Sequence, residues 1–183
     1  MTHYIDIELL SKKEMRENYL LNQLYTAFHK RLYDLKSKTI GVSFPRYRVK
    51  LGTLLRVHGS LENLERLQEK EWLGKYKVYC KISDIQNIPK EVSYRTIYRV
   101  QQNMTQAKLR RLIKRGTISS EDIRKYKIKM LQGGLENPYV ELKSASNGQL
   151  HRRFIEFGQC STEEVKGDFN FFGLSKEATI PWF

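Results

Sequence analysis

The sequence predicts an α+β fold in two parts. Apolar residues recur with the period of a strand in some stretches and with the period of a helix in others. Over residues 1–90 these stretches run strand, helix, strand, strand, helix, strand, and beyond residue 91 positive charge gathers at helical spacing. With 183 residues, 40% of them hydrophobic and only four prolines, the chain can bury a real core as one compact protein or two small domains.

The first strand is expected from His3 to Leu9, where Tyr4, Asp6 and Glu8 alternate with Ile5, Ile7 and Leu9. From about Glu14 to Lys36, Leu20, Leu21, Leu24, Ala27, Phe28, Leu32 and Leu35 repeat with a helical period, which predicts a long amphipathic helix. Strands follow at Ile40–Phe44 and Leu54–His58. A helix after Ser60 then sets Leu61, Leu64 and Leu67 on one side, and a strand over Lys77–Ile82 closes the half. This order is the ferredoxin-like arrangement, a frequent scaffold for binding RNA.

A link around Asn87–Glu91 leads to a strand at Tyr98–Gln101, a basic helix over 105–116 and a second helix opened by Ser119 or Ser120. Strands are expected again at Tyr139–Leu142, Phe154–Phe157 and Phe169–Leu174. The predicted fold is therefore an N-terminal ferredoxin-like domain over 1–90 and a C-terminal α+β domain over 91–183 that carries an arginine-rich helix.

Between Arg95 and Lys129 stand eleven Lys or Arg against two acids, Glu121 and Asp122. Lys108, Arg111 and Arg115 fall at i, i+3 and i+7, and Arg110 and Lys114 at i and i+4. Leu109, Leu112 and Ile113 share the opposite stripe, which predicts a helix docked through its apolar side with a cationic face outward. Thr105 suits the start and Gly116 the left-handed stop. A charge run is often only a solvated face, but here no acids interleave at i+4, so the like charges repel unless a polyanion neutralises them. The whole chain holds 33 basic and 20 acidic residues, a formal net charge of +13, which favours nucleic acid or an anionic surface as partner.

Other classes find no support. No apolar run approaches the roughly 20 residues that span a bilayer, and the N-terminus carries acids where a signal peptide needs an apolar stretch, so a soluble, cytoplasmic protein without membrane partner is expected. Cys80 and Cys160 lack a second Cys or a His at metal spacing and read as ordinary, semi-buried thiols. With no Gly-rich phosphate loop, nucleophile elbow or carboxylate cluster, no cofactor and no metal are expected.

Four histidines bound the search for acid–base groups: His3, His29, His58 and His151. His3 and His58 lie in strand candidates and read as structural. His29 follows Phe28 at the edge of the apolar stripe of the long helix, so its imidazole is expected to be half covered. Two roles fit such a residue: packing at a boundary, or accepting a proton near neutral pH.

Two local sequences narrow the choice: Gly41-Val42-Ser43-Phe44-Pro45, and Phe172-Gly173-Leu174-Ser175-Lys176 through Pro181-Trp182-Phe183. Together with His3-Tyr4-x-Asp6-Ile7, the Arg99-Val100-Gln101 strand, the arginine-rich helix and Ser144-x-Ser146-x-Gly148-Gln149, they resemble the CRISPR repeat-RNA endoribonucleases of subtype I-F, the Csy type. The resemblance runs from end to end and keeps the order of motifs.

It implies cleavage of a repeat hairpin at the 3′ base of its stem, without metal, leaving a 2′,3′-cyclic phosphate and a 5′-hydroxyl. The product hairpin is retained as a handle in a surveillance complex with other subunits. By position, His29 corresponds to the general base and Ser144 to the serine that holds the cleavage-site ribose in line. Arg99 and Gln101 correspond to readers of base edges low in the stem, His151 to the residue stacked on the terminal base pair, and Ser146 to an RNA contact. Lys108, Arg110, Arg111, Lys114 and Arg115 would lie along the phosphates. The bland alternatives are a strand-end hydroxyl bonded to backbone for Ser144, and solvent-facing side chains for Arg99 and Gln101.

Two positions depart from the pattern. Phe172 stands where a tyrosine is familiar, so orientation of His29 comes from elsewhere, with Tyr25 one turn before it as a candidate, or the aromatic ring there serves packing. His151 stands where a larger aromatic residue is familiar. The reading is an endoribonuclease that matures CRISPR transcripts. Beside it stand a hairpin-binding subunit that has lost cleavage and, below both, a ribosomal type of RNA-binding protein.

Overall fold

The computed structural model describes residues 1–10, 15–101, 106–132, 137–143 and 148–183. The chain divides into two compact units, residues 1–99 with 137–183, and residues 100–136.

The larger unit is built on two antiparallel sheets. The first takes β1 (His3–Leu9), β2 (Gly41–Ser43), β3 (Leu54–Gly59) and β4 (Cys80–Ile82) in the order β2-β3-β1-β4, with the short β5 (Gln86–Asn87) paired to β1. Helices α1 (Glu17–Asp34) and α2 (Leu61–Gln68) connect β1 to β2 and β3 to β4. This is the ferredoxin-like topology, with β1 central because Ile5, Ile7 and Leu9 bury one face while Tyr4 and Asp6 take the other. The second sheet has the order β7-β8-β6-β9, from β6 (Ser93–Val100), β7 (Tyr139–Lys143), β8 (Leu150–Phe157) and β9 (Ser175–Trp182). Pro181 falls on the edge strand β9, where its missing donor costs no ladder bond.

Both sheets share one core. Leu20, Leu24, Phe28 and Leu32 of α1 lie in the same buried cluster as Val42, Val57, Val140, Leu142, Ile155 and Ile180. The helix stops where Lys36 enters the left-handed region at φ 49° and the Ser37 amide donates to the Leu32 carbonyl at 3.0 Å. Ser60 caps α2 by accepting from the Asn63 amide, and the buried Arg31 donates to the Leu67 and Arg66 carbonyls at its other end.

Several expectations are corrected. Residues 77–79 of the expected strand belong instead to a 3₁₀ helix over Gly74–Tyr79, because Gly74 turns the chain at φ 51° and Val78 points outward, 65% exposed. Residues 169–174 form a turn rather than a strand: the Asn170 side chain accepts from the Phe172 and Leu174 amides, and Gly173 closes it at φ 69°. The final strand begins only at Ser175. Two expected strands are longer than their apolar runs, since β6 extends back to Ser93 by pairing with β9 and β8 extends back to Leu150 by pairing with β7. Cys80 is half-buried, its thiol pushed up to about 11 by burial, but Cys160 is exposed.

The smaller unit contains α3 (Gln106–Lys114) and α4 (Ser120–Gln132). Gly116, at φ 66°, ends the first, and its amide donates to the Ile113 carbonyl. Ser119, not Ser120, caps the second by accepting from the Asp122 amide at 3.1 Å. No described helix is long and apolar enough to cross a membrane.

Candidate active site

His29 lies on α1 between a buried wall and an open pocket. Tyr25 and Phe28, four residues and one residue before it, are fully buried, while the imidazole is half-covered, as its place at the stripe edge predicts. Its Nδ1 lies 2.7 Å from the carbonyl oxygen of Phe171. A carbonyl only accepts, so the Nδ1 carries the proton and donates it, leaving Nε2 with a free lone pair. Burial lowers the proton affinity of His29, the bond to Phe171 partly offsets this, and the cations Arg153 and Lys30 lower it further. The ring is therefore neutral at pH 7 and held in the tautomer that a general base requires.

The partner of the imidazole is the turn at 169–174. The Phe172 ring stacks on His29 with centroids 3.6 Å apart and planes 12° from parallel. The buried Tyr25 hydroxyl donates to the Phe172 carbonyl at 2.8 Å and so fixes the turn rather than the imidazole. Orientation of His29 thus comes from a backbone carbonyl and a packed ring, and Tyr25 acts one step removed.

Gly173 permits this placement. A Cβ there would stand 3.0 Å from Phe28 Cε1 and 3.1 Å from Val42 Cγ1, at a φ that L residues rarely adopt. Gly173→Ala is expected to lose about 2 kcal/mol of stability in urea denaturation, from overpacking and left-handed strain together. An unchanged midpoint would show that the turn yields instead.

A pocket of about 370 Å³ elsewhere is lined partly by Lys36 and Lys38, and a second lies at His29. That second cavity, of about 330 Å³, brings His29 together with Lys30, Arg99, Lys143, His151 and Arg153, over a floor formed by Phe172. None of its described lining residues is acidic. Arg99 and His151 thus line the same pocket as His29. Gln101 is exposed just past the end of β6, and Ser144 and Ser146 lie outside the described residues.

On α3, Lys108, Arg110, Arg111 and Lys114 are exposed, and so is Arg115 just beyond it. The apolar stripe is narrower than predicted: Leu109 is buried and Leu112 half-buried, but Ile113 is 48% exposed. Thr105 falls outside the described residues. Arg95 leaves the polyanion surface, since its guanidinium donates to the Gly158 carbonyl and lies 4.7 Å from the centre of the Trp182 ring. His58 is structural, fully buried with Nε2 2.8 Å from Ser43 Oγ and its proton affinity pushed down to about 3 by burial.

Sequence reasoning missed Arg153. One signal was present: consecutive arginines in a strand must point to opposite faces, so Arg152 or Arg153 had to face inward. Arg152 pairs with Glu141 at 2.9 Å on the outer side, and Arg153 lies over the Phe172 ring with Cζ 3.7 Å from its centre.

A ferredoxin-like sheet, a neutral histidine and an acid-free cationic pocket together define a protein whose site suits an anionic polymer. The family model described as CRISPR-associated protein (Cas_Csy4) matches residues 4–183. The chain belongs to this Cas_Csy4 family. It is 35% identical over 184 residues to the CRISPR-associated endonuclease Cas6/Csy4 of Escherichia coli (strain UTI89 / UPEC), with 100% of each chain covered. To the protein of the same name from Pseudomonas aeruginosa (strain UCBPP-PA14) it is 34% identical over 187 residues, again with 100% of both covered.

Proposed function

We propose that this protein is a metal-independent endoribonuclease that cleaves CRISPR repeat hairpins in precursor RNA and stays on its product as a subunit of a cytoplasmic surveillance complex. The observation that carries the reading is His29 lining a cationic pocket with its Nδ1 held by the Phe171 carbonyl, which leaves Nε2 as the nitrogen able to take a proton. Family membership and relatives named as endonucleases support it.

In this mechanism Nε2 removes the proton of the 2′-hydroxyl next to the scissile phosphate. The 2′-oxygen attacks phosphorus in line, the bond to the 5′-oxygen breaks, and that oxygen takes a proton from water while the one held by His29 returns to solvent. The products are a 2′,3′-cyclic phosphate and a 5′-hydroxyl, with no redox change and no added reactant. Ser144 holds the ribose in line, where positioning supplies much of the rate. Residues 1–90 carry the base and residues 91–183 the recognition groups. Arg99 and Gln101 read base edges, Arg being matched to guanine O6 and N7 and Gln to adenine N6 and N7. Ser146 contacts the RNA, and His151 stacks on the terminal pair.

The test is incubation of the purified protein with its own repeat hairpin in EDTA, beside a hairpin carrying 2′-deoxy at the cleavage nucleotide. The expected result is a single cut at the stem base for the first and tight binding without cleavage for the second. Cleavage only on addition of a divalent ion defeats the metal-independent mechanism. Tight binding of both with neither cut favours the hairpin-binding subunit, a reading that the missing hydroxyl of Phe172 supports.

Hairpin affinity is also expected to fall with salt at a log–log slope of about −3 to −5, because Lys108, Arg110, Arg111, Lys114 and Arg115 release counterions on binding phosphates. A flat response in a filter-binding titration removes that helix from the phosphate backbone.

A further inference from the structure

We propose that Arg153 binds the non-bridging oxygens of the scissile phosphate and stabilises the charge that gathers there during cleavage. The proposal rests on reading the His29 pocket as the cleavage site.

Two groups approach the Phe172 ring closely, the His29 imidazole at 3.6 Å and the Arg153 guanidinium at 3.7 Å from its centroid. Only opposite faces of one ring hold two groups at such distances. His29, Phe172 and Arg153 therefore form a three-layer stack, with base and cation spaced by one aromatic ring and both lining the same pocket.

Arg153 is under-satisfied where it stands. Its Nε is buried and has no hydrogen-bond partner among the described residues, and the same holds for Nε of Arg99 across the pocket. Burial and the Arg99 charge both weaken the hold of Arg153 on its proton. A guanidinium remains charged regardless, so two such cations with unused donors and no acid among the described residues lining their pocket need an anion. Contact with the Phe172 ring holds the Arg153 guanidinium in place, and its paired N–H donors suit two oxygens on one phosphorus. Its neighbour Arg152 is already paired with Glu141 and lies over Tyr139, and so offers no such site.

A phosphodiester carries its 2′-nucleophile and its non-bridging oxygens on adjacent atoms, so a base and a cation flanking one pocket serve a single step. As the 2′-oxygen bonds to phosphorus and the 5′-oxygen departs, negative charge builds on the non-bridging oxygens. Arg153 keeps its proton throughout and answers that charge with N–H donors already in place.

The experiment measures affinity of the full chain for two forms of the cleaved product hairpin, one ending in a 3′-phosphate and one in a 3′-hydroxyl, and compares wild type with Arg153→Gln, Arg153→Lys and Arg152→Gln. Wild type and Arg152→Gln are expected to prefer the phosphate end by about tenfold, Arg153→Lys to keep part of the preference, and Arg153→Gln to lose it. In single-turnover cleavage of the intact hairpin, Arg153→Gln is expected to be about a hundredfold slower. The proposal is overturned if wild type shows no preference, or if Arg153→Gln retains it. Should wild type prefer the phosphate end through Arg153 yet cut no hairpin, the phosphate site stands and the endonuclease reading fails.

Discussion

His29→Ala is expected to lower the single-turnover rate of hairpin cleavage by about a thousandfold, the middle of the range for removing a general base. Hairpin affinity should stay within about twofold, because recognition falls to other cations and to stacking. The argument is geometric before it is electrostatic. With Nδ1 donating to the Phe171 carbonyl and the ring stacked on Phe172, Nε2 has one protonation state to offer at neutral pH, on a residue that lines the pocket. The base works in its neutral form, so the rate must fall as pH drops and protonates it. Because burial and the nearby cations Arg153 and Lys30 lower the proton affinity of His29, half-maximal rate should come below pH 6.5 and the profile should be flat above neutrality. A His29→Ala rate within tenfold of wild type removes His29 from the chemistry.

Phe28→Ala carries the largest expected loss of stability, about 4 kcal/mol in urea denaturation. Phe28 is fully buried in the shared core, its ring centroid 5.9 Å from that of Trp72 and 6.1 Å from that of Tyr25. Its Cε1 also sets the near limit of approach for Gly173, the residue that closes the turn beside His29. Truncation therefore leaves a cavity and removes the wall against which the turn rests. Cleavage should slow as well, and more than in a distant core truncation of similar cost such as Leu64→Ala, since Phe28 and not Leu64 backs the turn that orients the imidazole. A loss below about 1.5 kcal/mol would mean that the neighbouring rings collapse into the space.

Legibility in the sequence tracked the range of the forces involved. The first strand was readable because Ile5, Ile7 and Leu9 alternate with polar residues, and α1 because its leucines and Phe28 repeat along one stripe. Gly116 and Ser60 announced their helix ends through backbone geometry and a hydroxyl, both local effects. Residues 77–79 and 169–174 misled because their aromatic and apolar content resembles a strand, while left-handed Gly74 just before the first, and Gly173 with the Asn170 side chain in the second, bend the chain instead. Arg95 counted as a surface cation until the Gly158 carbonyl and the Trp182 ring claimed it.

From sequence alone came the ferredoxin-like order, the cationic helix and the candidacy of His29, Arg99 and His151 as site residues, all carried by hydrophobic period, local capping, charge spacing and the order of motifs. Tertiary structure alone decided which nitrogen of His29 is free, that Tyr25 steadies the turn rather than the imidazole, and that Arg153 rather than Arg152 faces the pocket. The reason is physical separation along the chain: His29 and the carbonyl that fixes its tautomer are 142 residues apart, and no local pattern encodes a contact between groups that only packing of the two sheets on α1 brings together.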